Sequence, residues 1–269
     1  MDLIDIHAHL DHTKFKEDLD KVIERARKAG VKTIITSGVN STTNRLILEI
    51  AKKYPDIVKV SFGIYPLDAL AKELENDEGS ETAGFPRDIE NFDIDKELNW
   101  IGKNKSSCVA IGECGLDYNW SDEKKEEQKQ NFQKVINLAI KINKPLIVHT
   151  RKAEADSVEL LEKSKAKKVV LHCFSARKSL IKKAIELGYS FSIPPIITRL
   201  EHFQMMADLI PLNQLLTETD APYLSPVQGE RNESANVAIT IKEIAKIKKL
   251  SEEEVASQIY ENFKKLFLN

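Results

Sequence analysis

The chain is 269 residues long and 42% hydrophobic, with 40 Lys and Arg against 42 Asp and Glu and a formal net charge of −2. That balance excludes a protein that coats nucleic acid through bulk positive charge, leaving only a local basic groove open, and no apolar run approaches the roughly 20 residues that span a bilayer. No basic-then-apolar secretory leader opens MDLIDIHAHL, and Cys108, Cys114 and Cys173 make neither an even disulfide set nor a CxxC pair, so a soluble cytoplasmic protein is expected.

With no Pro/Gly/Ser-rich linker, this length accommodates one large α/β barrel or two smaller domains. Strand-like runs follow one another at Leu3 to Ala8, Thr33 to Val39, Val58 to Ile64, Cys108 to Glu113, Pro145 to Thr150, Lys168 to Phe174, Gly188 to Ile193 and Leu215 to Asp220. Amphipathic stretches lie between most of them. In FQKVINLAIKI, Phe132, Val135, Ile136, Ala139 and Ile140 share one helical face, opposite Gln133, Lys134, Asn137 and Lys141. Two segments break the alternation: the acidic, Gly-interrupted stretch Glu75 to Asp93, read as a solvated insertion, and the irregular loop Ser225 to Asn236. Ser251 followed by Glu252, Glu253 and Glu254 is a capping box that opens the last helix. Eight β/α alternations predict a single-domain TIM-type (β/α)8 barrel over residues 1–269.

Strand ends on one side of such a barrel converge on one pocket. In DIHAH, residues two apart face the same way, so His7 and His9 both project inward. Glu113 ends VAIGE, His149 ends PLIVH, His172 sits in VVLHCF and Asp220 ends LLTETD. Ionisable groups placed where an inward apolar pattern stops need partners, because burying one alone costs several kcal/mol. A divalent metal is such a partner. Six ligands exceed the three protein ligands typical of a catalytic zinc, and a carboxylate can bridge two ions. The division that follows gives His7, His9 and Asp220 to one ion and His149 and His172 to the other, with Glu113 bridging. Asp220 doubles as general base. Glu218, on the same face as Asp220, is either a support beneath the ligands or a core carboxylate with another partner. Cys114 and Cys173, each following a ligand, are expected to face the helices, while His12 and His202 fall outside the ligand set. Zinc, manganese, iron and nickel suit these donors, and magnesium suits the more oxygen-rich position.

The chain resembles the TatD-family metal-dependent hydrolases, among the amidohydrolase-like TIM barrels. The resemblance is carried by DIHAHLD at Asp5 to Asp11, FGIYP at Phe62 to Pro66, IGECGLDY at Ile111 to Tyr118, the run ending IVHTRKA at Ala153, HCFS at His172 to Ser175, ETDAPYLSP at Glu218 to Pro226 and RNE at Arg231 to Glu233. It implies a (β/α)8 fold, ligand roles for the same six residues, and phosphodiester hydrolysis on DNA, often as an exonuclease. Where the family usually carries Gly-x-His-Pro, this chain has Gly63-Ile64-Tyr65-Pro66. Tyr65 can donate to a phosphate oxygen but is a poor acid at neutral pH. Arg151 either pairs with a substrate phosphate or makes a structural salt bridge. The reading is a two-metal-ion deoxyribonuclease acting on single-stranded or frayed DNA. Its alternatives are a deacylase of D-aminoacyl-tRNA type and a metal-binding scaffold with little catalysis. DNA or another nucleic-acid-derived molecule is the expected partner, with no membrane and no obligate protein partner indicated.

Overall fold

The computed structural model describes residues 1–70, 89–120 and 123–268. Eight strands form one parallel sheet in chain order: β1 (Leu3–Ala8), β2 (Val31–Ser37), β3 (Val58–Ile64), β4 (Ala110–Asp117), β5 (Leu146–Arg151), β6 (Val169–Leu171), β7 (Ser190–Ile193) and β8 (Leu215–Thr217). A bridge between Ala8 and Ala221 brings the last strand's extension back to the first, so the sheet is a nearly closed barrel. The helices between the strands are α1 (Leu19–Lys28), α2 (Ser41–Lys53), α3 (Ile94–Lys103), α4 (Lys125–Lys141), α5 (Glu154–Lys163), α6 (Lys178–Glu186) and α7 (Glu201–Leu209), with α8 (Val237–Lys248) and α9 (Glu252–Phe263) following β8. Strands covered by helices outside and by packed side chains inside are buried on both faces. Every residue of β1, β4, β6 and β8 is accordingly buried. No described helix is long and apolar enough to cross a membrane.

Local chemistry accounts for the main features of this layout. Asn40 and Thr43 form a reciprocal capping box at the start of α2, as Ser251 and Glu254 do at α9. Helix α4 buries Phe132, Val135, Ile136 and Ala139. Ile140 departs from the expected face and is 48% exposed. It sits about 80° around the helix from Phe132, at the edge of the stripe. Of the expected acidic insertion, residues 75–88 lie outside the described residues. The remainder leads into α3, which Asp93 caps by accepting from the Lys96 N–H.

The loop after β8 is fastened to the start of the chain. Arg231 makes a two-pronged contact with Asp18 at 2.7 Å, and Arg25 makes one with Glu233 at 2.8 and 2.6 Å. Asn232 donates to the Thr219 carbonyl, and Thr219 in turn donates its hydroxyl and backbone N–H to the buried Asp5 carboxylate in β1. The RNE segment thus ties the stretch carrying Asp220 to β1 and α1. Burial pushes the Asp5 carboxyl up to about 7, against the hydrogen bonds from Thr219.

Candidate metal centre

Strands β1, β4, β5, β6 and β8, or the residues just beyond them, bring His7, His9, Glu113, His149, His172 and Asp220 together. Glu113 is the hub. Its Oε1 lies 2.9 Å from His149 Nδ1 and 3.3 Å from His172 Nε2. Its Oε2 lies 3.3 Å from His9 Nε2 and 3.6 Å from His7 Nε2. Asp220 Oδ1 approaches the same two nitrogens, at 3.4 Å and 3.5 Å. Donor atoms of His7, His9 and Asp220 form one group within 4.8 Å of one another, and those of His7, Glu113 and His172 form a second. His149 stands outside both groups and reaches the centre through Glu113.

The backbone is shaped to allow this approach. A Cβ on Gly63 would lie 2.5 Å from the Glu113 nitrogen, and one on Gly115 would lie 2.0 Å from the His149 carbonyl oxygen. Strands β6 and β8 stop short of the expected Phe174 and Asp220, at Leu171 and Thr217. His172 therefore follows its strand directly, whereas Asp220 takes a left-handed backbone at φ 54° with its N–H on the His7 carbonyl at 2.8 Å.

Each histidine has one ring nitrogen held and the other aimed at carboxylate. His9 Nδ1 is 3.1 Å from the Ser37 carbonyl, and His7 Nδ1 is 3.0 Å from the Ser37 hydroxyl. His172 Nδ1 is 3.3 Å from Glu218 Oε2, and His149 Nε2 is 3.2 Å from Asp117 Oδ2. Such outer partners fix imidazole orientation in metal sites. The inward Nε2 of His7 is fully buried and makes no hydrogen bond. A buried polar atom without a partner is costly, and an imidazole nitrogen facing two carboxylates matches the donor chemistry of a divalent cation. The residues therefore fit a metal. Burial opposes charge on His9, but Asp220 and Glu113 outweigh it and raise its pKa to about 10; His149 is raised in the same way by Asp117 and Glu113. Protons and cations compete for these nitrogens, so metal affinity should fall as pH falls. Burial would raise Glu113 and Asp220, yet the surrounding histidines hold both well below the ordinary carboxylate range.

A model of the TatD related DNase family matches residues 4–268. The chain belongs to that family. It is 36% identical to the Homo sapiens deoxyribonuclease TATDN3 over 98% of this chain and 94% of that one. It is 35% identical to an uncharacterized metal-dependent hydrolase of Methanocaldococcus jannaschii, over 98% and 96%. A solved TatD homologue from Escherichia coli, YjjV, has the same fold, with a TM-score of 0.84 at 24% identity over 99% of this chain and 98% of that one.

Around the six residues, this TatD chain differs in places from what its motifs suggest. Glu218 is fully buried, holding His172 from below and accepting the Cys173 N–H at 2.8 Å. Of its two open roles, it takes the supporting one. Cys114 is buried in the core, as expected. Cys173 is not in the expected strand: it lies beyond β6 at φ 43°, where side-chain alternation no longer applies. Its burial, together with Glu218, Asp220 and Glu113 nearby, pushes its thiol well up. His12 accepts from the Lys14 N–H and His202 pairs with the Phe174 carbonyl, and neither belongs to the two donor groups found among the described residues. Arg151 is exposed, makes no ion pair among the described residues, and lays its guanidinium 5.5 Å from the Trp120 ring centroid. Tyr65 is buried and gives its hydroxyl hydrogen to Asp117 at 2.7 Å. Asp117 is the residue that sequence reasoning missed. Strand β4 runs four residues past Glu113, and continuing its two-residue period would have placed Asp117 on Glu113's side.

Proposed function

We propose that this TatD-family hydrolase is a two-metal deoxyribonuclease that cleaves phosphodiester bonds at single-stranded or frayed DNA ends. The observation that carries the reading is Glu113, whose two oxygens face two different pairs of histidines. His7, His9 and Asp220 would hold one cation, His149 and His172 the other, and Glu113 both. When bound, the cations would polarise the phosphoryl group and lower the pKa of the attacking water. Asp220, whose burial is outweighed by His7 and His9 so that it stays ionised at neutral pH, would serve as the general base. Ser37, Glu218 and Asp117 keep the imidazoles oriented while this happens.

Two features beside the centre favour a nucleic-acid substrate over an aminoacyl ester. Arg151 lies two residues beyond His149 on β5 with its guanidinium exposed, a planar donor suited to phosphate. Two half-buried aromatic rings lie near these residues: Trp120 against Arg151, and Tyr223 with its centroid 6.4 Å from that of His9. Rings at a phosphate-binding mouth suit unstacked bases, and a single strand offers them without the cost of opening a duplex. Arg151→Ala is expected to raise KM for single-stranded DNA roughly tenfold, the loss of one charge-assisted phosphate contact, with kcat changing less. Steady-state kinetics on a defined oligonucleotide checks this. An unchanged KM would remove Arg151 from the substrate site.

A further inference from the structure

Asp117 is held from every side, and what it does with that rigidity is to present one carboxylate oxygen to His149. It is fully buried. Its backbone N–H donates to Gln128 Oε1 and its carbonyl accepts from Gln128 Nε2, both at 2.8 Å, which pins this end of β4 to α4. Its Oδ1 accepts the Asn119 N–H at 2.9 Å. Its Oδ2 is left to receive two groups, the Tyr65 hydroxyl at 2.7 Å and His149 Nε2 at 3.2 Å. The Tyr65 oxygen is itself 3.4 Å from His149 Nε2, and the two ring centroids are 5.0 Å apart.

A neutral imidazole carries one ring proton, and the nitrogen that keeps it cannot bind a metal. With a cation held at Glu113, a carboxylate at Nε2 would keep the proton there and leave the Nδ1 lone pair for the cation; Nδ1 lies 2.9 Å from Glu113 Oε1. His172 is arranged the opposite way, with Nδ1 held by Glu218 and Nε2 facing Glu113. The two histidines that share Glu113 Oε1 thus present different nitrogens to it. We propose that Asp117 and Tyr65 are positioning residues for the metal centre, fixing His149 as an Nδ1 ligand; the phenol acts on the Asp117 oxygen and not on the substrate. This rests on the reading of His149 as a ligand. It gives the tyrosine of GIYP a role that requires a hydroxyl donor and no imidazole.

The test uses the full-length protein, stripped with chelator and titrated with zinc alone against a competing chromophoric chelator. Long-range proton–nitrogen NMR of histidine-labelled, zinc-loaded protein reads the tautomer, with the His149 signals identified by their loss in His149→Gln. The wild type should show His149 protonated at Nε2. Asp117→Ala should weaken zinc binding at one site by about 10- to 100-fold, the range for removing a ligand's outer partner, and lose that tautomer. Asp117→Asn, whose amide oxygen still accepts from Nε2–H, should recover most of the affinity. Tyr65→Phe should weaken zinc binding by a smaller factor and leave the fold intact. Wild-type zinc binding and an unchanged His149 tautomer in Asp117→Ala would overturn the inference; should that variant fail to fold, the same result in Tyr65→Phe would overturn it. Unchanged zinc binding in His149→Gln would instead overturn the ligand assignment itself.

Discussion

Glu113→Gln is expected to empty the centre of both cations together. In the wild type one oxygen of this carboxylate faces His149 and His172 and the other faces His9 and His7, so a single residue serves both halves. A glutamine keeps the shape but offers one neutral oxygen to one side and an amide NH2 to the other, and an NH2 cannot ligate a cation. The charge is lost as well: His149 and His172 would lose the carboxylate they share, and of the two carboxylates facing His7 and His9 only Asp220 would remain to offset the charge of a cation. Affinity for each ion should fall by at least about 100-fold, beyond the upper end found when only an outer partner is removed. Turnover should fall with it, by about a thousandfold or more, since lost cations take with them both phosphoryl polarisation and the acidified water. Metal content per chain after dialysis, measured beside kcat/KM, checks this. Retention of both equivalents would show that Glu113 does not bridge.

Asp220→Asn should fail differently. Asp220 contacts only the His7 and His9 side, so the His149 and His172 side should keep its ion and the other should be partly filled. The asparagine cannot accept a proton as the carboxylate does, and removing a general base costs about 10²- to 10⁴-fold in rate. The expected signature is therefore a loss of kcat far larger than the loss of metal, whereas in Glu113→Gln the two fall together. Full occupancy with near-normal kcat in Asp220→Asn would make its role as base wrong.

The six residues at the centre were legible in the sequence because ionisable groups at the ends of inward-facing runs stand out against their apolar neighbours, and because a parallel barrel gathers strand ends at one mouth. β1 and β3 run as their patterns predict, from Leu3 to Ala8 and from Val58 to Ile64. What was not legible is what the backbone does once the pattern stops. Glu113 looked like the end of a strand, yet β4 continues to Asp117, with Gly115 passing close to His149; that hid Asp117. Cys173 and Asp220 adopt left-handed backbone, which no two-residue alternation anticipates. Tyr65 is the sharpest case. GIYP suggested a donor to a phosphate and gave no sign of the partner that the hydroxyl has here, a carboxylate 52 residues away in sequence.

The most direct measurement is metal-dependent turnover on a matched panel: protein stripped with chelator, reconstituted with two equivalents of zinc or manganese, and assayed on single-stranded DNA, frayed and blunt duplex DNA, RNA and D-aminoacyl-tRNA. The expected result is cleavage of single-stranded and frayed DNA at rates well above those on blunt duplex and on the aminoacyl ester, absent from the stripped protein and restored by the metal. Faster deacylation of D-aminoacyl-tRNA than cleavage of any DNA, or DNA cleavage that survives removal of the metal, would contradict a two-metal deoxyribonuclease.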